Sequence, residues 1–279
     1  MTIKAYQEII SAAPADRADL FLMTAQRLGA PLINIEKDFW VCWTLNTLYH
    51  RLPANGPRLL FKGGTSLSKA YGLINRFSED IDVTVFRDDL GYPATTVEIA
   101  DLSNKKRKAM LEAITADCSR YITTDLHAAV TEVLAEDTQG KGQVEIDDTD
   151  PSNQTLLVRY PRVDASETGY VQAAVKIESG AKSALDPNQP ATIEPYINSD
   201  IQSLDLSVHD VTTINAERTF WDKIVIAHGL RNWFERRGEL RQDGQRVSRH
   251  YEPPRFYRRV QHSKDEPYDE ETIHPRLSG

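Results

Sequence analysis

Apolar positions return along this chain with two periods, and each change of period marks an element. Residues 15–28 and 35–51 carry the spacing of amphipathic helices, separated by Gly29 and Pro31. In the second, Ile35, Phe39, Cys42, Trp43 and Asn46 share one side, and Asn34 predicts an N-cap with Glu36 in the first turn. Pro53 and Pro57 punctuate the chain before residues 58–61, a short buried strand that runs into Gly63 and Gly64. A helix over 66–73, a return through Asn75 and Arg76, and an alternating strand over 81–86 follow. Residues 99–134 are helical in pattern. The polar run 139–153, with Glu145, Asp147, Asp148 and Asp150, predicts a solvent-facing hairpin or mobile loop. Strands are predicted over 156–160, 170–178, 191–196 and 204–208. From Asn215, a residue suited to capping, the helical period returns with Ile224, Val225, Ala227 and Leu230 on its buried side.

The chemistry concentrates where the period is 2. Asp80 and Asp82 interrupt the apolar series Ile81, Val83, Val85, so both project from one face of a strand with Cα atoms roughly 6.5–7 Å apart. Two carboxylates at that spacing suit a hard divalent cation, and Mg²⁺ favours such oxygen donors together with substrate phosphates. The Gly63-Gly64-Thr65-Ser66 turn upstream offers backbone N–H groups and a helix start, both suited to phosphate oxygens. A phosphate cradle followed by Asp-x-Asp is the equipment of nucleotidyl transfer. No Walker pattern and no Rossmann glycine fingerprint accompanies it, so the strand–turn–helix–strand unit predicts a mixed α/β core of another kind.

The strings K-G-G-T-S-L-S-K-A-Y and R-F-S-E-D-I-D-V resemble the AbiEii/AbiGii toxin family of nucleotidyltransferases, within the DNA polymerase β-like superfamily. Ile35-Glu36-Lys37-Asp38-Phe39-Trp40-Val41, Val175-Lys176-Ile177-Glu178 and the run from Ala216 to Lys223 follow in family order. The resemblance implies an α+β fold: a polymerase β-like core, a mixed sheet flanked by helices, with a C-terminal helical region. On this basis residues 1–208 are expected to form the nucleotidyltransferase domain and 209–279 the C-terminal region. It implies Asp80, Asp82 and Glu178 as ligands of Mg²⁺, or of Mn²⁺ in its place, and as catalytic groups with Lys176 and Asp222. Gly63, Gly64, Thr65, Ser66, Lys176, Asp222 and Lys223 would bind the nucleotide. It further implies an NTP substrate, the 3′ end of tRNA as acceptor, a cognate antitoxin, and a role in abortive infection and phage defence. A small-molecule or protein acceptor, or a non-catalytic nucleotide- or RNA-binding role, stays open beside it. Two departures stand out: Arg218 replaces a more usual lysine, and Glu252-Pro253-Pro254 breaks the expected continuation, which predicts a truncated or replaced terminal bundle.

Composition narrows the class. A net charge of −8 excludes a whole-surface basic binder of duplex nucleic acid. It leaves two local basic features. Lys105-Lys106-Arg107-Lys108 is either a solvated helix face or a phosphate-backbone patch. The arginines from Arg231 to Arg259, interleaved with Trp233, Tyr251, Phe256 and Tyr257, suit RNA or a solvated tail. Cys42 and Cys118 form no ligand spacing or disulfide framework, and the seven histidines are scattered. With neither a signal core nor an apolar run of the ~20 residues needed to span a bilayer, a soluble cytoplasmic protein is expected.

Overall fold

The alternating runs become strands that put their apolar residues on one shared face. In the computed structural model, which describes residues 2–74, 77, 80–163 and 173–242, the elements are α1 (Thr2–Ser11), α2 (Pro14–Leu28), α3 (Leu32–His50), β1 (Leu59–Lys62), α4 (Gly63–Lys69), β2 (Asp80–Val85), α5 (Thr96–Asp101), α6 (Asn104–Tyr121), α7 (His127–Thr138), β3 (Gln143–Ile146), β4 (Thr155–Arg159), β5 (Ala174–Gly180), β6 (Asn188–Ile193), β7 (Val208–Ile214) and α8 (Ala216–Gln242). A π-helical turn, Ile122–Leu126, joins α6 to α7. The strands form one mixed seven-stranded sheet in the order β3-β4-β5-β2-β1-β7-β6. Pairing is parallel for β2 with β5 and β1 with β7, and antiparallel elsewhere. This is the mixed sheet flanked by helices that the sequence predicts.

One face of the sheet is core. Phe61, Ile81, Val83, Val175, Ile177, Leu156 and Val158 are all buried there in one continuous cluster with the helices. Helix α3 contacts β2, β5 and β7, and α2 and α7 pack against it. Each such side chain contributes roughly 1.5–3 kcal/mol on full burial. The rings of α3 extend the packing: Trp40 stacks on Tyr160 at 5.1 Å, and Phe39 meets Tyr6 and Phe21 at 5.3 and 5.6 Å. Burial on α3 is nearly all-round, from Ile35 to Leu48, and includes Glu36, Lys37 and Asp38. The other face, by the alternation of β1, β2 and β5, receives Lys62, Asp80, Asp82, Lys176 and Glu178. A second small apolar cluster of Leu60, Leu185 and Ile214 packs with Phe86 on that face.

Four local expectations are corrected. Helix α3 starts at Leu32 behind an extended Pro31, whose fixed φ suits a helix start, so Asn34 lies inside the helix. Asn215 stands before α8, but its carbonyl does the bonding, to the N–H of Thr219, while its side-chain oxygen is buried without a partner. The run 139–153 is part of the expected hairpin, since β3 pairs antiparallel with β4, but it is not wholly solvent-facing: Asp147 and Asp150 are buried because each carboxylate ties down the turn that follows it. The strand expected over 204–208 lies later, at β7, since Asp205 and Asn198 instead hold the backbone of Ser207 and Leu206 in a turn.

The chain divides into two compact units, Met1–Thr219 and Phe220–Gly279, so β7 belongs with the first, beyond the expected boundary at 208. In the second, the apolar side expected to be buried is open: Ile224 is 45% and Val225 69% exposed. Arg236, Arg237 and Arg241 fall on the last turns of α8. Arg246, Arg249, Arg255, Arg258 and Arg259, with the proline pair, lie outside the described residues, as do Asn75 and Arg76. Among the described residues no helix is long and apolar enough to cross a membrane.

Candidate active site

The turn from β1 into α4 is built around a glycine. Gly63 has φ +80°, and a β-carbon there would lie 2.6 Å from Cγ of Asp82. Only glycine therefore allows the Asp82 carboxylate to rest against the turn. Helix α4 begins at Gly63 itself, earlier than the sequence suggests. Thr65 and Ser66 are buried and face inward, Thr65 donating to the carbonyl of Asp80 and Ser66 to that of Gly63 at 2.9 Å. Their hydroxyls brace the turn and the start of β2. What the turn can offer an anion is backbone, since the first N–H groups of a helix have no intrahelical partner. A phosphate there would meet the Asp82 carboxylate, and a cation between the two would offset that repulsion.

Sheet register assembles the rest. Asp82 sits between Lys62 on β1 and Glu178 on β5, and Asp80 is paired with Lys176. Neighbouring strands lie about 4.7–4.9 Å apart, so these five residues form one compact half-buried charged patch. The row continues outward: Glu178 pairs with Thr155 on β4, and Asp147 donates its N–H to the carbonyl of Thr155 at 3.0 Å. The Lys176 ammonium lies 3.2 Å from Glu178 Oε1 and 3.3 Å from Asp147 Oδ2. Burial works against that charge, but the Glu178 and Asp147 carboxylates outweigh it and hold Lys176 above its ordinary value. Burial likewise opposes ionisation of Asp147, and the Thr149 hydrogen bonds and Lys176 reverse it. Lys62 donates to Ser183 Oγ at 2.9 Å, which brings the segment after β5 over this face.

Asp80, Asp82 and Glu178 suit Mg²⁺ in donor type and in register. Among the described residues, however, no three His, Cys, Asp or Glu side chains stand grouped as a ligand set. The Glu178 carboxylate is turned onto Lys176, with Oε1 3.2 Å from the ammonium. Two aspartates and the backbone position of a third acid are a donor set that would suit the ion, with Glu178 Oε1 engaged by Lys176.

Behind the patch, α4 is pinned to α3. Lys69 forms an ion pair with Asp38, donates to the carbonyl of Glu194 at 2.9 Å, and lies 3.8 Å over the ring of Tyr196. Asp38 also accepts the N–H of Tyr196 at 2.7 Å, and Glu36 that of Val163 at 2.8 Å. The buried charges of Ile35-Glu36-Lys37-Asp38-Phe39-Trp40 thus fasten loops and α4 to the core.

Asp222 and Lys223 lie on α8 in the second unit, the first half-buried and the second exposed. Lys105, Lys106 and Lys108 are exposed on the first turns of α6, while Arg107 is turned onto Asn104 and the carbonyl of Ala100. Three residues that sequence reasoning left without a role stand at the patch: Lys62, Asp147 and Ser183. Lys62 was signalled only by its place before the glycines, and Asp147 was masked by its acidic neighbours.

A search of curated proteins returned no match. Among solved structures, MenT4, a nucleotidyltransferase toxin from Mycobacterium tuberculosis H37Rv, aligns with 17% identity and a TM-score of 0.39 over 73% of this chain. The present chain spans 57% of that protein's length. The family model described as nucleotidyl transferase AbiEii toxin, type IV TA system, matches residues 46–251, which include β1, the Gly63 turn, Asp80, Asp82, Lys176, Glu178, Asp222 and Lys223. On that match the chain belongs to the AbiEii nucleotidyl transferase toxin family.

Proposed function

We propose that this chain is a Mg²⁺-dependent nucleotidyltransferase, the toxin of a type IV toxin–antitoxin pair, that transfers NMP from an NTP to the 3′ end of tRNA in the cytoplasm. The supporting observation is the register that sets Asp80, Asp82, Lys176 and Glu178 on one sheet face beside the Gly63 turn. In the transfer, an acceptor hydroxyl oxygen bonds to the α-phosphorus, the α–β bridging P–O bond breaks, and pyrophosphate leaves.

The residues take distinct parts. Asp80 and Asp82 with Glu178 would hold Mg²⁺, which when bound neutralises triphosphate charge and eases ionisation of the acceptor hydroxyl. Mn²⁺ would serve the same donors. The backbone of Gly63, Gly64, Thr65 and Ser66 orients phosphate oxygens, and Lys176 binds the triphosphate as a fixed positive charge. The family resemblance implies Asp222 and Lys223 as further nucleotide-binding residues, and the α6 lysines favour a phosphodiester acceptor. A cognate antitoxin opposes the activity, in abortive infection and phage defence. The test is transfer of label from each of the four NTPs to total tRNA, with the Asp80→Ala/Asp82→Ala double variant as control. Label on tRNA with wild type alone supports the reading. Label on a small molecule or a protein moves the acceptor, and equal labelling by the double variant overturns the site.

A further inference from the structure

The site contains a carboxylate that the proposed mechanism leaves without a part. Asp147 follows β3 in the row of Glu178, Asp82 and Lys62, and its side chain is only 8% exposed. Its two oxygens are divided. Oδ1 accepts from Thr149, from the backbone N–H at 3.0 Å and the hydroxyl at 2.6 Å, and Oδ2 faces the Lys176 ammonium at 3.3 Å. Glu178, the other partner of Lys176, is held differently: its side chain is 26% exposed and its carboxylate contact is the ammonium itself, at 3.2 Å. One partner is locked by its own turn and the other is the more exposed and less restrained of the two.

From this asymmetry we infer that Asp147 is a positioning residue, the fixed anchor that keeps Lys176 aimed at the triphosphate, with Glu178 the less restrained of the two partners. A lysine has four rotatable bonds and a strongly hydrated head, so an ammonium left with a single mobile partner would sample many orientations, and ordering it would weaken nucleotide binding. A buried carboxylate restrained by two hydrogen bonds removes that freedom beforehand. The same bonds keep Asp147 charged and correctly turned, which makes Thr149 the support of the anchor. This inference rests on the reading that Lys176 meets the nucleotide.

Equilibrium dialysis of labelled NTP against the full chain with Mg²⁺ tests it, with thermal melting of every variant alongside. Asp147→Asn keeps the shape and an acceptor for Thr149 but loses the charge, and is expected to raise the NTP Kd about tenfold, the scale of a charge-assisted hydrogen bond. Thr149→Val is expected to raise it about threefold by loosening the anchor. Asp147→Glu should recover most of the affinity. Combined with Lys176→Ala, Asp147→Asn should weaken binding no further, because both changes act through one ammonium. Additive losses in that double variant, or an Asp147→Asn protein that melts lower yet binds NTP as wild type does, overturns the anchor while leaving the nucleotide reading standing. If Lys176→Ala itself binds NTP like wild type, or wild type binds none, the nucleotide reading fails and the anchor with it.

Discussion

Two lysine–carboxylate centres stand in this fold, one between α3 and α4 and one on β5, and they differ in how far they are enclosed. Lys69 and Asp38 are 7% and 1% exposed; Lys69 also meets the carbonyl of Glu194 and the ring of Tyr196, and Asp38 accepts the Tyr196 N–H. Lys176 is 33% exposed, shared between two acids and placed on the open face of the sheet. Around Lys69 burial opposes the charge, and Asp38 more than restores it. Such a pair holds only as a complete unit, because removal of either half strands the other in a medium that cannot solvate it. At Lys176 a third of the side chain stays exposed, which under the proposed function leaves it a side for the nucleotide. The difference teaches that a lysine followed by few clues in sequence is assigned by what surrounds it: closed coordination makes a rivet, open coordination makes a site.

The largest separation between the two centres should appear in activity. Asp82→Ala or Lys176→Ala is expected to lower NTP transfer by about 10²–10³-fold, the scale of losing a group that meets developing charge. The melting temperature should stay near that of wild type, since both side chains are half-buried on the open face. Steady-state transfer and thermal melting on the same preparations check this. A large fall in melting temperature with Asp82→Ala would make the patch structural and dissolve the contrast.

At the other centre the effects should exchange places. Lys69→Met leaves Asp38 buried without its partner, which typically costs about 3–5 kcal/mol. At about 2–4 °C per kcal/mol for a unit of this size, melting should fall by at least several degrees. Asp38→Leu combined with Lys69→Met should recover part of the loss, because no charge then remains buried. Calorimetry of the two variants decides it. A single variant as stable as wild type would show that the pair is not the fastening between α3 and α4.

How much of this could be read from residues alone follows the range of the forces involved. Alternation is local, so Asp80 and Asp82 on one strand face, and the glycine turn before them, were legible from a few residues. The pairing of β2 with β5, which brings Lys176 and Glu178 beside them, comes from strands about a hundred residues apart, and only the family pattern pointed to it. Helix α3 was legible as a helix with a broad apolar face but not as a fully enclosed one, because the partners of Glu36 and Asp38 come from elsewhere in the chain. The burial of these two acids is set by backbone N–H groups of Val163 and Tyr196 and by Lys69, none of which is near in sequence. Asp147 was hidden for the opposite reason: in a run of acids, composition says solvent, and a turn that satisfies the carboxylate internally leaves no mark on composition. The apolar side of α8 was legible as apolar, and what covers it depends on more than its own period.

Gly63 joins the two properties that the lysines separate. Gly63→Ala places a β-carbon into the Asp82 carboxylate on a backbone with φ +80°, which strains the turn by roughly 1–2 kcal/mol and pushes Asp82 out of line. Stability and activity should therefore fall together, melting by a few degrees and transfer by at least tenfold. An active, normally stable Gly63→Ala protein would mean that Asp82 need not rest against the turn. Ser66→Ala, which removes only the bond to the Gly63 carbonyl, should cost about 1 kcal/mol and leave transfer within a few-fold.

The smallest expected effect is also the one that needs no variant. Screening acts on charges that ions can approach, with a Debye length of about 10 Å at 0.1 M salt and about 3 Å at 1 M. Lys176 on the open face should feel it and Lys69, enclosed by protein, should not. Raising KCl from 50 to 500 mM at constant free Mg²⁺ is therefore expected to raise the NTP KM about two- to fivefold while the melting temperature shifts little. Asp147→Asn should make that salt response shallower, since a less ordered ammonium contributes less of the attraction that salt removes. Melting that drops steeply with salt while KM stays constant would reverse the assignment, placing the exchangeable charge at Lys69 and the rivet at Lys176.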